Sequence, residues 1–527
     1  MRPYFLPLAF AFPLIALPQY FGARQLVLEE VAIADMPALQ SFAWGTHAGQ
    51  WFLIGGRTDG LHRRQPPFAF LATGNNLSAH VVDPLTNEVW SASLDVLPQA
   101  LLEQLQSTNM EFEQRDSTLY CIGGYGYSVT ASDHITYPHL TAVDLPGVMD
   151  AVRTGGSITP WFRQITDARM EVTGGQLRLL DDHFYLVGGQ RFIGRYNPMG
   201  PDFGPGFIQE YTNAVRRFDI TDDGTELSIE NYWELVDTVN LHRRDYNMLP
   251  QVFPDGTDGL TVFSGVFQYA ADVPWLNTVD VRDTSITVVP GFEQLLSQYH
   301  NAHVGLYNAE LERMRSLFFG GMARYYFNTE GTLMDDVDVP FVSTISAVQR
   351  DSTGAMSEAM IGSMPALLGA SAEFIPWPGT PQNASGILLE HAFTGDTVVL
   401  GHIVGGIEST AANIFFVNTG VESQASARVF RVSLVDAALP VPDPMQGASR
   451  LGLRCDGDRL HVALDELTEQ RMGIRVLDSI GRVVLTAADQ PCGKGAVFGI
   501  DLHGWPTGAY TIEVRTASRT SIARFVR

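Results

Sequence analysis

The chain contains 527 residues, of which 45% are hydrophobic, and it carries a formal net charge of -24 at pH 7. A chain of this length exceeds one ordinary domain, so we expect either several compact units or one large repeat architecture. The only lysine is Lys494, so almost all of the 34 basic residues are arginine. No basic stripe interrupts the acidic body, and an acidic surface repels phosphate backbones. The composition therefore argues against nucleic acid as a partner.

The N-terminal segment has the pattern of a secretory signal peptide. Arg2 precedes an apolar run from Tyr4 to Leu17, and small residues follow at Ala16 and Ala23. The run is shorter than the roughly 20 residues that a membrane-spanning helix requires, and prolines interrupt it. We therefore predict a signal peptide over residues 1–23 and export of the mature chain, with an uncleaved membrane anchor as the alternative.

Three cysteines are too few for a disulfide framework in a chain of this size. Cys455 and Cys492 both lie near the C-terminus and could pair outside the cell. Cys121 stands in an apolar run, so we expect a small buried hydrophobic residue rather than a nucleophile.

Six short apolar runs end in a glycine pair, with Ser264 in place of the first glycine in the fourth run. They cover residues 51–56, 119–124, 184–189, 260–265, 316–321 and 401–406. A second strand-like segment follows each run, and three units then reach a tryptophan, at Trp90, Trp161 and Trp233. Glycine pairs let the chain leave a buried strand at angles that other residues resist, so the pattern predicts six repeated β units.

This pattern resembles the kelch repeat, in which each unit is one four-stranded blade of a β-propeller. The resemblance implies an all-β fold, with a six-bladed kelch-like β-propeller over residues 24–436 and tryptophans that fill the space between blades. The glycine pairs recur about 56 to 85 residues apart, so the loops are long. Residues 24–35 are predicted to complete the sixth blade and close the ring. A set of unrelated β-sandwiches is the alternative.

A proline-rich linker at residues 437–445 precedes a second β region at 446–527. This region resembles the C-terminal sorting domain of type IX secretion cargo, a small immunoglobulin-like β-sandwich. The motif positions are Asp478, Gly481, Arg482, Gly508, Tyr510 and Arg524. The resemblance implies a Bacteroidota-type host, the type IX translocon as a partner, and an extracellular or outer-membrane-surface location. An accessory sandwich without an export role is the alternative.

In a propeller, the loops between second and third strands open on the same face as the segments that enter each first strand. We expect a ligand there, since rigid sheets hold variable loops. These segments are rich in arginine and aromatic residues, which suit sugars, carboxylates or the anchors of a partner protein. The candidate ligand-binding residues are Arg63, Tyr125, Tyr127, Arg191, Arg195, Tyr196, His242, Arg243, Tyr269, Trp275, His300, Arg324, Tyr325 and Tyr326.

No motif identifies a catalytic residue, a metal site or a cofactor. His300 and His303 on one strand are expected to point to opposite faces, which is poor geometry for chelation. The sequence therefore favours a secreted or cell-surface binding protein for a glycan or protein ligand, expected to be a monomer. The alternatives are a carbohydrate-active enzyme of mutarotase, lyase or oxidase type and a structural extracellular component.

Overall fold

The computed structural model describes residue 21 and residues 24–328 and 331–436. Nearer the C-terminus it describes residues 451–456, 459–464, 471–477, 483–491, 497–506, 509–515 and 520–527. The chain divides into two compact units, Met1–Ala437 and Ala438–Arg527. The described residues are mostly β-strand, with two α-helices, and none of their helices is long and apolar enough to span a membrane. The protein is therefore all-β, as the sequence predicts.

Unit 1 begins with β1 (Arg24–Val31), and three sheets follow in chain order. The first sheet contains β2 (Ala43–His47), β3 (Gln50–Ile54), β4 (Ser78–Asp83) and β5 (Glu88–Ser93), and α1 (Gln99–Leu105) comes after it. The second contains β6 (Thr108–Arg115), β7 (Thr118–Ser128), β8 (Asp133–Thr136), β9 (His139–Asp144) and β10 (Phe162–Thr166), with α2 (Leu145–Thr154) between its last two strands. The third contains β11 (Gln176–Leu180), β12 (His183–Val187), a separate ribbon of β13 (Gln190–Ile193) and β14 (Ile208–Tyr211), β15 (Ala214–Asp222) and β16 (Leu227–Val236).

Three more sheets complete unit 1. The fourth contains β17 (Asn247–Val252), β18 (Asp258–Phe263), β19 (Val279–Arg282) and β20 (Ser285–Val288). The fifth contains β21 (Ala302–Asn308), β22 (Arg313–Met322), a separate ribbon of β23 (Tyr325–Phe327) and β24 (Leu333–Asp335), β25 (Phe341–Arg350) and β26 (Met356–Ser363). The sixth contains β27 (Leu367–Pro376), β29 (Thr397–Ser409), β30 (Ser423–Ala425) and β31 (Val429–Asp436), while β28 (Leu388–Leu389) pairs with β21 of the fifth sheet.

Each sheet is built on an antiparallel meander of four strands, and the sixth takes its fourth strand from the start of the chain. Its order is β27-β29-β31-β1. The pairing of β1 with β31 is antiparallel and runs from Arg24 opposite Asp436 to Val31 opposite Val429. The first and last strands of unit 1 therefore share one sheet.

A closed ring of backbone hydrogen bonds joins the six sheets at the starts of their first strands. Each ring residue donates its N–H to the carbonyl of the ring residue in the preceding sheet, over 2.8 to 3.3 Å, and Ser41 of the first sheet donates to Ser371 of the sixth. The ring residues are Ser41, Asn109, Gly174, Asp245, His300 and Ser371. All except His300 have a positive φ, which lets the chain turn sharply into the first strand.

The six glycine pairs of the sequence lie at the end of the second strand of a sheet or within it, and both residues of every pair have a positive φ. Ser264 adopts this conformation without being glycine, at φ 62°. A Cβ added at Gly123 would lie 1.8 Å from the carbonyl oxygen of Val172, in the segment that enters the next sheet. Gly124 donates its N–H to the same carbonyl over 2.9 Å. This pair is therefore a close contact between neighbouring sheets.

The core of unit 1 consists of separate apolar clusters between neighbouring sheets. Cys121 is buried in the cluster between the first and second sheets, as predicted. Leu53 of the first sheet and Val404 of the sixth share another cluster, which closes the series. Trp90 and Trp233 pack against such clusters, but Trp161 is 36% exposed and lies over Gly147, so the prediction for this tryptophan was wrong.

Unit 2 contains two antiparallel sheets with one shared core. The first is β32 (Leu451–Asp456), β33 (Arg459–Leu464) and β36 (Val497–Asp501), and the second is β34 (Arg471–Leu477), β35 (Val483–Pro491), β37 (Ala509–Arg515) and β38 (Thr520–Val526). Val462 of the first sheet and Val476 and Ile512 of the second are buried together. The predicted linker, Cys492, Asp478, Gly481, Arg482 and Gly508 lie outside the described residues. Tyr510 is buried on β37, and Arg524 lies on β38.

Candidate functional site

Loops from the first, third and sixth sheets meet on the side of the ring from which the first strands start. Arg195 of the third-sheet loop donates to the carbonyl of Pro67 in the first-sheet loop. Asn418 of the sixth-sheet loop donates to the carbonyl of Leu61 over 2.7 Å. We call this side the loop face, and the contacts show that its loops support one another near the ring.

Arg244 is the charged group around which this region is arranged. It immediately precedes the ring residue Asp245, and its guanidinium forms an ion pair with the Asp245 carboxylate. The Arg244 side chain is 16% exposed, and its Nε is buried without a hydrogen-bond partner. Burial acts to lower the pKa of Arg244, but the Asp245 carboxylate together with Tyr211 and Tyr196 outweighs burial and raises the pKa. Arg244 therefore keeps its charge and has an unused donor.

His62 presents a neutral imidazole to the same region. Its ring stacks on Phe70 at 4.2 Å and meets Tyr196 edge-on at 5.2 Å. Burial, together with the charges of Arg57 and Arg244, lowers the pKa of His62 to about 4. The Nδ1 atom lies 3.1 Å from the carbonyl of Arg63, which can only accept, so Nδ1 carries the proton and Nε2 has the free lone pair.

Three tyrosines, Tyr196, Tyr211 and Tyr299, lie with His62, Arg244 and Asp245. We call these six residues the axial cluster. Burial raises the pKa of the Tyr196 and Tyr299 hydroxyls, and the charge of Arg244 opposes that shift in both. The Tyr211 hydroxyl interacts directly with Arg244. The Tyr299 hydroxyl is buried without a hydrogen-bond partner. The cluster thus combines one cation with aromatic rings and an unpartnered hydroxyl.

A small cavity beside the ring continues the polar surface along the first strands. Asp245 and His300 line it together with Glu111 and Glu373. One oxygen of Glu111 accepts from the N–H of Gly175 over 2.7 Å, while the other is buried without a partner. Burial raises the pKa of Glu111 to about 8. This carboxyl is therefore largely protonated at neutral pH.

Of the predicted residues, Tyr196 belongs to the axial cluster, and His300 lies in the ring with its Nε2 3.2 Å from a Glu373 oxygen. The rings of His300 and His303 are 6.3 Å apart. The prediction that they point to opposite faces was wrong, because His300 lies in the turn before β21 rather than on the strand.

Arg243 was predicted to be available to a ligand on the loop face, and this prediction was wrong. Its neighbour Arg244 lies in the axial cluster instead. Arg243 is 1% exposed, and its guanidinium donates to the carbonyls of Asn240, Ser264 and Asn277 and to the Asn277 side chain. These bonds leave it no role toward a ligand, because its donors hold the turn between β18 and β19 to the segment before β17.

Other predicted residues support the loops. Tyr125 is buried and donates to the carbonyl of Gly194, Tyr127 packs beside His134, and Arg63 lies over Phe68. Arg191 pairs with Glu171 and Glu210, and Arg324 pairs with Asp335 and lies over Tyr325.

The remaining predicted residues are aromatic. Tyr326 is on β23, and Trp275 donates to the carbonyl of His242. His242 stacks between Tyr211 and Tyr269.

The sequence analysis did not propose Tyr211, Arg244, Asp245 or Tyr299. Arg244 and Tyr299 occupy the same structural position in two repeats, one residue before the ring. An alignment of the six repeats on their ring positions would have placed these two side chains next to each other. No group of three or more His, Cys, Asp and Glu side chains in the described part of the chain has the arrangement of a metal site.

No protein-family model and no curated protein matches the chain. Among solved structures, the structure of YjhT matches with a TM-score of 0.43 and 10% sequence identity, over 77% of this chain and 99% of that chain. A likeness of this size carries no inference about function.

Proposed function

We propose that the six sheets of unit 1 are the blades of a kelch-like β-propeller that binds a ligand on its loop face. The closed ring of backbone hydrogen bonds supports the propeller, as does the sharing of the sixth sheet by β1 and β31. The apolar clusters between successive sheets support it as well, because propeller strands are buried on both faces.

The ligand that fits the axial cluster best is a glycan with a carboxylate group. The observation that carries this proposal is Arg244, a charged guanidinium with an unused donor that lies among aromatic rings. Guanidinium groups recognise carboxylates through charge-assisted hydrogen bonds, and aromatic faces pack on the apolar faces of sugar rings. A protein ligand that presents a carboxylate side chain to Arg244 is the other kind of ligand consistent with a binding function.

The test is binding of unit 1 to an array of neutral and uronate-containing oligosaccharides, followed by titration calorimetry. Arg244→Ala should weaken binding of the acidic ligands by about 10- to 100-fold, since a hydrogen bond to a charged group contributes about 1.5 to 3 kcal/mol. Arg191→Ala is the matched control, because Arg191 is a loop-face arginine paired with Glu171 and Glu210. Equal binding of neutral and acidic sugars, or an equal loss in both variants, would contradict the proposal.

A carbohydrate-active enzyme is the second candidate, and His62 is the observation that favours it. The His62 ring has a free lone pair at Nε2 and meets the Tyr196 ring edge-on at 5.2 Å, so these two side chains are the candidates for proton exchange with a sugar held by Arg244. A pKa of about 4 makes His62 a weak base, which is why binding is the first proposal. Conversion of an array ligand by the wild-type protein but not by His62→Gln would support the enzyme.

We also propose that unit 2 is a type IX sorting domain of immunoglobulin-like form and that the N-terminal segment, predicted from the sequence as residues 1–23, is a signal peptide. Phe21 is buried between the fifth and sixth sheets, so cleavage would fall before it. Removal of residues 446–527 should retain the protein in the periplasm of a type IX-competent host. In the complementary experiment, a reporter protein fused to residues 446–527 should be secreted. Retention of this fusion inside the cell would contradict the proposal.

A further inference from the structure

Three aromatic rings from three separate segments form a stack that starts at the axial cluster. Tyr211 ends β14, His242 precedes β17, and Tyr269 lies in the loop between β18 and β19. The ring centroids of Tyr211 and His242 are 3.7 Å apart, and those of His242 and Tyr269 are 3.9 Å apart, with interplanar angles of 26° and 23°. The stack therefore leads from the tyrosine that touches Arg244 to a ring on the outer surface.

Tyr269 at the outer end of the stack and His242 in its middle are each fixed by other contacts. The Tyr269 hydroxyl donates to the carbonyl of Thr238 over 2.6 Å, and His242 Nδ1 lies 3.1 Å from Oδ1 of Asn213. Burial lowers the pKa of His242, and the charge of Arg244 lowers it further, so the imidazole stacks as a neutral ring. Tyr269 is thus held in one orientation without a ligand.

Tyr269 is nevertheless 63% exposed, because only one of its faces is covered by His242. A large aromatic ring that is exposed and also fixed by a hydrogen bond and by stacking has lost its side-chain entropy before any ligand binds. Its open face continues the direction of the stack. A flat partner can therefore add to the stack at little conformational cost.

We propose that the exposed face of Tyr269 is a second subsite that receives a sugar ring, and that the ligand is an acidic oligosaccharide rather than a single acidic sugar. The proposal rests on the proposed function, because Arg244 holds the carboxylate of one unit while another unit of the same chain packs on Tyr269. Two stacked rings separate Tyr211 from the outer face of Tyr269, so one sugar ring does not reach both subsites.

A sugar suits this subsite better than an apolar peptide anchor. Polar groups adjoin Tyr269 along the chain and at its hydroxyl: the Gln268 amide donates to the carbonyl of Pro274, and the Asp237 carboxylate, next to Thr238, accepts from Asn240. The hydroxyls of a sugar can share these groups while its apolar face packs on Tyr269. A purely apolar side chain would remove water from these polar groups and would offer no hydrogen bonds in its place.

The experiment measures affinity against chain length with galacturonate and its oligomers, with maltose oligomers as the uncharged series. For wild type, affinity should rise from monomer to tetramer. Tyr269→Ala should weaken tetramer binding by about 2- to 12-fold and leave monomer binding unchanged, which is the effect of losing one stacking contact. Tyr269→Phe should lose less tetramer affinity than Tyr269→Ala, because it keeps the ring and loses only the hydrogen bond to Thr238 that fixes it.

Phe203→Ala is the matched control, since Phe203 is an exposed ring of the third-sheet loop, 46% exposed and outside the stack. Length-independent binding that Arg244→Ala abolishes would overturn this inference and leave the proposed function standing. Binding of both sugar series without dependence on Arg244 would overturn the proposed function, and so would binding of neither. Equal losses in Tyr269→Ala and Phe203→Ala would also overturn the second subsite.

Discussion

Arg243 and Arg244 are neighbours in the chain and belong to two regions with different hydrogen-bonding. Arg243 belongs to the framework of turns between sheets, where its guanidinium donates to three backbone carbonyls and one side chain. Arg244 belongs to the axial cluster, where it pairs with Asp245 and has a buried Nε without a partner. The Arg243 guanidinium has a partner at Nε, Nη1 and Nη2, whereas Arg244 Nε and the Tyr299 hydroxyl of the axial cluster have none. Unmet buried donors cost stability, so their presence beside the ring favours a role toward a ligand.

The largest expected effect is on the framework, through its closing strand. Deletion of residues 24–31 should lower the free energy of unfolding of unit 1 by at least about 5 kcal/mol, because it removes a whole strand and exposes the edge of β31. Thermal and urea unfolding measure this. The control is Glu29→Gln, which removes one exposed ion pair with Arg431 and should cost less than about 1 kcal/mol. An unchanged unfolding transition after the deletion would mean that the sixth sheet is stable without β1.

The next effect separates the two arginines directly. Arg243→Ala should lower the free energy of unfolding by about 3 to 5 kcal/mol, since it leaves several buried carbonyls without donors. Arg244→Ala should change it by no more than about 1 kcal/mol, because the loss of one partly exposed ion pair is offset by removal of the unmet donor. Urea denaturation of both variants measures the difference. Similar losses would show that the two regions do not differ.

A third prediction concerns the close contact between Gly123 and the Val172 carbonyl of the neighbouring sheet. Gly123→Ala should cost about 2 to 4 kcal/mol, since the new Cβ meets the Val172 carbonyl and φ is 64°. Gly200→Ala is the matched control, because φ there is also positive, at 85°, but no atom lies within 4 Å of the new Cβ. It should cost only about 1 kcal/mol for the strained backbone. If both variants lose the same free energy of unfolding, the loss in Gly123→Ala arises from the positive φ alone and not from the contact with Val172.

A fourth effect is a dependence of stability on pH that arises beside the ring. Burial raises the pKa of Glu111 to about 8, with a contribution from Asp245 that Arg216 opposes. Between pH 4.5 and 8 the folded state holds a proton that the unfolded state releases, so stability should fall as pH rises through this range. Glu111→Gln should reduce the slope, while the exposed Glu88→Gln should not. Glu113 and Glu358, whose pKa values burial raises to about 7 and about 8, preserve part of the slope in every variant.

The framework could be predicted from the sequence because its requirements are local. A backbone with positive φ on two consecutive residues favours glycine so strongly that all six turns were visible, even with Ser264 in one of them. The all-β class followed from the same runs. Chain order also made residues 24–35 available to the sixth sheet, and Arg24–Val31 is the strand that pairs with β31.

The axial cluster could not be predicted in the same way, because its members come from separate repeats and are brought together only by the ring. Arg243 and Arg244 are equivalent by residue type, and only the turn into β17 decides which one is buried. Tyr299 carries no local signal of a site. Arg191 and Arg324 matched the expected composition, but nearby carboxylates pair with both of them.

The sharing of the sixth sheet also determines the order in which unit 1 can be assembled. Glu30 and Arg428 pair across β1 and β31, although they are 398 residues apart in sequence. A chain that emerges N-terminus first must keep β1 without its partner until nearly all of unit 1 has been made. Contacts of such large separation form slowly, because the entropy of closing the intervening chain is lost before the contact is gained. We therefore expect the sixth sheet to be completed late in folding, and until then β1 is an unpaired edge that other chains can reach.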